Sequence, residues 1–179
     1  RMLAYSSVAQ IGYIVLGLSF DTVTGMAAGI IHLFNHAVMK GGLFMALGAV
    51  AYRVGGVQLG QMTGLGRKMP WTMASFVAGG LSLIGVPLTV GFVSKWYLIQ
   101  AALEKGWWMI AILIVISSLL AVIYVWRVVE VIYFRPTGAV AQDVNEAPLS
   151  MLIPMWVLIG ASIYFGIDAT TTLDVAIAA

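Results

Sequence analysis

Residues 71–103 read WTMASFVAGGLSLIGVPLTVGFVSKWYLIQAAL, an apolar run that carries one charge, Lys95. A single helix of this length would reach roughly 50 Å, against a bilayer hydrocarbon core of about 30 Å. Its middle holds Gly85, Pro87 and Gly91. Proline removes a backbone donor and clashes with the turn before it, and glycine admits non-helical angles. The run therefore reads as two half-helices joined by an unwound stretch at Gly85–Gly91, with one kinked or tilted helix as the alternative. Unwound backbone is tolerated at membrane depth only where protein or a water-filled cavity surrounds it, and broken helices recur at transport sites.

Four further apolar runs flank this one. They cover about Met2–Phe20, Thr24–Tyr52, Trp107–Phe134 and Leu149–Ile167, separated by short or polar connections. Each is long enough to cross a bilayer. No ten-residue alternation suggests a barrel. The predicted fold is all-α, a polytopic membrane bundle of about five transmembrane helices with the third broken. Composition agrees. The 179 residues are 61% hydrophobic and 9% charged, with mean hydropathy +1.01. Soluble domains are about 25% charged, so a soluble enzyme, a nucleic-acid binder and a disordered chain are excluded. There is no Cys, hence no disulfide and no thiolate ligand or nucleophile. The chain starts at Arg1 without a signal peptide and reads as a piece of a longer protein.

With five spans, Arg1, Arg53, Arg67, Lys68 and Arg135 fall on one side. Lys105 falls on the other, beside Asp21, Glu104, Asp168 and Asp174. The excess of positive charge predicts that the Arg1 side is cytoplasmic. Trp71, Trp96, Trp107, Trp108 and Trp126 mostly flank spans, as interfacial anchors do.

Ionisable residues inside spans are the strongest functional signal, because each costs free energy there, about 2.5–3.5 kcal/mol for Lys or Arg at a helix centre. His32, His36 and Lys40 lie at i, i+4 and i+8 of the second span. They share a face, about 6 Å apart per step along the axis, a gap that waters could bridge. Imidazole both accepts and donates a proton near neutral pH. A desolvated lysine can also release its proton. The three read as a proton wire directed at the third span, and Lys95 as a switchable charge facing the protein interior. The alternative for the histidines is interhelical hydrogen bonding. A metal site is disfavoured, because no Cys and no third ligand accompany the histidine pair. Ser6, Gln10 and Tyr13, at i, i+4 and i+7 of the first span, read as supporting polar groups, with help from Ser7 and Asn35. Interhelical glue is the equal alternative. Arg127 and Glu130 read as a structural i, i+3 ion pair.

The string RMLAYSSVAQIGY (1–13), followed by HLFNHAVMK (32–40), resembles the proton-conducting membrane transporter family. So does LIGVPLTVGFVSK (83–95), which is similar to that family's broken helix with a buried lysine. Members include the antiporter-like chains L, M and N of respiratory complex I, the large subunits of Mrp Na⁺/H⁺ antiporters, and related subunits of membrane hydrogenases. The resemblance implies that residues 1–134 form most of the second of two inverted repeats, and that 135–179 hold a loop, a fifth span and a short tail. It places His32, His36 and Lys40 on the central polar axis and Lys95 near the exit half-channel. The first repeat, with its glutamate–lysine pair, has no counterpart in this chain. Lysine at position 95 argues against chain M, which tends to carry glutamate there. The SKWYL wording and the short tail lean towards the D-type member of the Mrp antiporters.

The resemblance implies proton translocation or monovalent cation:proton antiport in a bacterial inner membrane, with no cofactor, metal or redox site in this chain. Implied partners are other membrane subunits, lipid, protons and Na⁺, and no nucleic acid. The alternatives are a subunit of a proton-pumping NADH:quinone oxidoreductase or hydrogenase, and a structural subunit that does not conduct. A structural copy would have no need of His32, Lys40 and Lys95 in lipid.

Overall fold

The computed structural model describes residues 2–138 and 141–178. Arg1, one of the residues in the charge bias, lies outside them. Among the described residues the chain is all-α. Helix α1 covers Met2–Ser19 and α2 Val23–Val54; α3 covers Pro70–Ile84 and α4 Val90–Glu104. Helix α5 covers Trp108–Val129 and runs into a wider turn at Glu130–Phe134. Helix α6 covers Leu149–Ile167 and α7 Thr170–Ala178. By length and apolarity α1, α2, α5 with its last turn, and α6 can each cross a membrane. Helices α3 and α4 are the halves of the predicted broken span, so the protein is an integral membrane helical bundle.

Local chemistry sets the element ends. Thr22 opens α2, its hydroxyl accepting from the Gly25 amide at 3.0 Å. Gly55, at φ 78°, closes it and donates to the Ala51 carbonyl at 2.8 Å. Pro70 stands in the first turn of α3, where its missing donor costs nothing. The 32-residue α2 is the central post, and α1, α3, α4, α6 and α7 all pack against it.

The break differs from expectation at one end. Helix α4 begins at Val90, so the non-helical stretch is Gly85–Thr89 and Gly91 is helical. Gly91 is needed for space. A Cβ there would overlap the Ser82 carbonyl, so glycine lets the first turn of α4 lie against the last turn of α3. Helix α7 was not expected, and it packs back onto α2.

The bundle is inverted relative to a soluble protein. Ile112, Leu113, Ile116, Leu119, Leu120 and Ile123 of α5 are exposed, whereas Gln10, His32, Asn35, Lys40, Ser94 and Lys95 are buried. Buried polar groups require partners, and those partners form the site.

Candidate functional site

Pro87 accounts for the position of Lys95. The Leu83 carbonyl would bond the amide four residues on in a continuous helix, and Pro87 has none. Gly85, at φ +92°, turns the chain out of α3, its amide bonding the Leu81 and Ser82 carbonyls, each at 3.0 Å. The Leu83 and Ile84 carbonyls are left facing α4. Lys95 Nζ donates to both at 2.9 Å. A cation is thus held at the negative end of a half-helix. The ammonium also lies 5.5 Å from the centre of the Tyr13 ring, within cation–π range. Among the described residues the only ion pairs are those that Glu130 makes, so no carboxylate neutralises Lys95. A cleft of about 270 Å³ opens onto it between the break and α5, lined by Gly85, Phe92, Trp96 and Ser118 among others.

His32 is fully buried between three helices. Its Nε2 lies 3.0 Å from Gln10 Oε1 on α1, and its Nδ1 2.8 Å from Ser94 Oγ on α4. An amide oxygen only accepts, so Nε2 carries hydrogen and neutral His32 accepts at Nδ1 from the Ser94 hydroxyl. The Ser94 hydroxyl has a second acceptor, the Val90 carbonyl at 3.4 Å. If His32 takes a proton at Nδ1, it donates to Ser94 and that hydroxyl turns to Val90. Both charge states keep their hydrogen bonds. Tyr13 packs edge-on to His32 at 5.3 Å between ring centres, so it touches both His32 and Lys95. Its own hydroxyl reaches the Ile114 carbonyl of α5 at 3.4 Å.

Lys40 departs from the expected wire. Its ammonium turns to the first turn of α1 and donates to the Leu3 carbonyl at 2.8 Å and to the Ser6 hydroxyl. It does not point at the broken span. His36 is half-buried, and its Nδ1 has no hydrogen-bond partner. His32, Lys40 and Lys95 each find their hydrogen-bond partners on other helices or across the break. Each supporting residue on α1 meets at least one of them: Ser6 meets Lys40, Gln10 meets His32, and Tyr13 meets His32 and Lys95. Asn35 donates from Nδ2 to the Val90 carbonyl at 2.7 Å, while Ser7 bonds only the Leu3 carbonyl of its own helix, at 3.1 Å.

One residue of the site and one cap outside it escaped the sequence reading. Ser94, the α4 partner of His32, had the signal of standing next to Lys95. Glu146, in the connection before α6, had none. Its carboxylate accepts from the Trp71 amide at 2.7 Å and from the Thr72 hydroxyl at 2.6 Å, capping the start of α3. Arg127 pairs with Glu130 at 3.1 Å as expected, and Arg135 adds a second arm at the same distance. This cluster is exposed, away from the buried groups.

The chain compares closely with known proteins. Residues 1–121 match the family model described as NADH:quinone oxidoreductase/Mrp antiporter, TM. The chain is 45% identical to NADH-quinone oxidoreductase subunit N of Desulforudis audaxviator, over 88% of this chain and 34% of that protein. It is 28% identical to an antiporter subunit of Staphylococcus haemolyticus, over 97% of this chain and 35% of that one. A chain in the structure of the Mrp complex from Dietzia superposes with a TM-score of 0.88 at 28% identity, covering 98% of this chain and 41% of its own length. The chain spans about a third of the length of these curated relatives. The family match covers most of the chain, including His32, His36, Lys40 and Lys95, and the chain belongs to the NADH:quinone oxidoreductase/Mrp antiporter transmembrane family.

Proposed function

We propose that this chain carries one half-pathway for protons in a subunit of a multisubunit membrane complex that translocates protons or exchanges them for a monovalent cation. The observation that carries the reading is Lys95, a buried cation that, among the described residues, is bound to the two carbonyls that the break releases and to the face of Tyr13. Such a group can change charge without breaking an ion pair. His32, satisfied in either charge state, is the neighbouring carrier, and Lys40 beside Ser6 extends the polar axis along α1. In this reading residues 1–134 form most of one inverted repeat, and 135–179 a following span with its tail. The remaining helices of the subunit supply the other half-pathway.

The identity to a subunit N favours the quinone oxidoreductase branch by sequence. The superposition on a chain of the Mrp complex, with a TM-score of 0.88, supports the antiporter branch by shape. In both branches the partners are other membrane subunits, and the transported species are protons, with Na⁺ as the exchanged cation in an antiporter. We place the end of the bundle bearing Arg53, Arg67, Lys68 and Arg135 in the cytoplasm of a bacterial cell, from the charge bias.

The test uses the whole complex in vesicles. Lys95→Ala should assemble, since it removes a buried charge, and proton flux should fall severely. Lys95→Arg should fail as well, because a guanidinium does not release its proton. Normal flux in an assembled Lys95→Ala complex would overturn the proposal and favour a structural role.

A further inference from the structure

We infer that α6 is the clamp that holds the break, and through it Lys95, in place, with Gly166 as its positioning residue. The inference rests on Lys95 being a proton carrier. The break carries local backbone strain. Between Gly85 and Thr89, Leu88 stands at φ +71°, a region that disfavours any residue with a Cβ. Thr89 is tied locally: its amide and hydroxyl bond the Val86 carbonyl at 3.3 and 2.7 Å, and its carbonyl accepts from the Phe92 amide at 3.1 Å. Strained backbone of this kind persists only when its surroundings over-determine it.

Helix α6 supplies much of those surroundings. Gly166 lies directly against the break. A Cβ built on it would overlap the backbone of Thr89 and come within 2.6 Å of the Leu88 carbonyl oxygen. These are backbone atoms, and they cannot swing aside as a side chain can. One turn earlier, Ser162 donates to the Ser82 hydroxyl at 2.9 Å, with both residues buried. Ser162 and Gly166 are four apart and share a face of α6. That face touches the last turn of α3 and the chain entering α4. From the opposite side, Asn35 of α2 holds the Val90 carbonyl at 2.7 Å.

The connection to Lys95 is short. Ser82 precedes Leu83 and Ile84, whose carbonyls hold the ammonium. Leu88 and Thr89 lead directly into the helix that carries Lys95. Displacing them from α6 moves the first turns of α4 relative to those carbonyls. Gly160 is the natural comparison, being on the same helix with nothing within 4 Å of a Cβ built there.

The experiment compares Gly166→Ala, Gly160→Ala, Ser162→Ala and Lys95→Ala in the intact complex in vesicles. It follows assembly, proton flux and amide hydrogen exchange. Gly166→Ala should assemble and lose flux by about tenfold to a hundredfold, the scale on which a small misplacement of a reacting group acts. Its exchange should quicken over residues 85–91 and not along the whole of α6, as a merely structural glycine would cause. Gly160→Ala should match the unaltered protein, and Ser162→Ala should show the Gly166 pattern more weakly. Normal flux and exchange in Gly166→Ala, with flux lost in Lys95→Ala, would overturn the clamp and leave the proton pathway standing. Normal flux in Lys95→Ala would instead remove the reading on which the clamp depends. If Gly166→Ala fails to assemble, Ser162→Ala decides: an assembled complex with unchanged flux and exchange overturns the inference.

Discussion

His32 acts on its neighbours through one hydroxyl. Ser94 donates to the neutral ring, and once the ring is protonated it receives from it and turns to the Val90 carbonyl. Ser94→Ala should therefore leave Nδ1 unpartnered and strand the protonated ring. Proton flux should drop, by about tenfold if one buried hydrogen bond to a charged group is lost. Ser94→Thr keeps the hydroxyl and should keep most of the flux in the same vesicle assay. Lys40 gives a milder case, because Ser6→Ala removes one of its two partners and leaves the Leu3 carbonyl. Flux should fall less in Ser6→Ala than in Lys40→Ala, compared side by side. The spacing of Ser6, Gln10 and Tyr13 was legible in the sequence, since positions i, i+4 and i+7 stay on one stripe. The direction of Lys40 was not. Each step of four residues drifts by about 40°, so position i+8 has turned about 80° from i. The long stem of lysine then reaches whichever helix packs there.

Among the elements, the broken span was legible because its length and Pro87 both speak against one helix. Its far end was misplaced because glycine serves close approach as well as irregular backbone, and the sequence does not distinguish the two. Helix α7 escaped because nine residues carry too little pattern, and their helix is held by packing on α2. Glu146 escaped because it caps a helix that starts 76 residues before it, a contact that only the folded chain creates. Glu146→Ala should release that cap at a cost of roughly 0.5–2 kcal/mol. Amide exchange in the first turn of α3, around Trp71 and Met73, should then quicken by about 2–30-fold. Exchange near Gly85 should stay unchanged if the two ends of α3 are held independently.

For the molecule as a whole, the inversion of polarity was plain from composition, whereas the packing of α1, α3, α4, α6 and α7 against α2 needed the structure. The ends of the bundle sort by charge. Arg53, Arg67, Lys68 and Arg135 lie at one end, and the other has Asp21, Glu104 and Lys105, with the Thr24 hydroxyl on Glu104 at 2.9 Å. The chain has no Cys, so a thiol introduced into it is the one thiol it carries. Gln142→Cys should react with an impermeant maleimide only from the cytoplasmic face, and Lys105→Cys only from the opposite one. The reverse result would invert the orientation. Helices α3 and α4 are each 15 residues long, so the break between them lies midway across the span. A proton that travels from either surface to Lys95 therefore crosses about half of the transmembrane electric field. That passage is worth about 1 kcal/mol per 100 mV, half the value for a full crossing. Where it limits turnover, an imposed diffusion potential of 100 mV should change the rate by roughly sevenfold. In the proposed pathway the bent backbone thus makes the lysine an electrical midpoint, at which membrane voltage would act on proton occupancy.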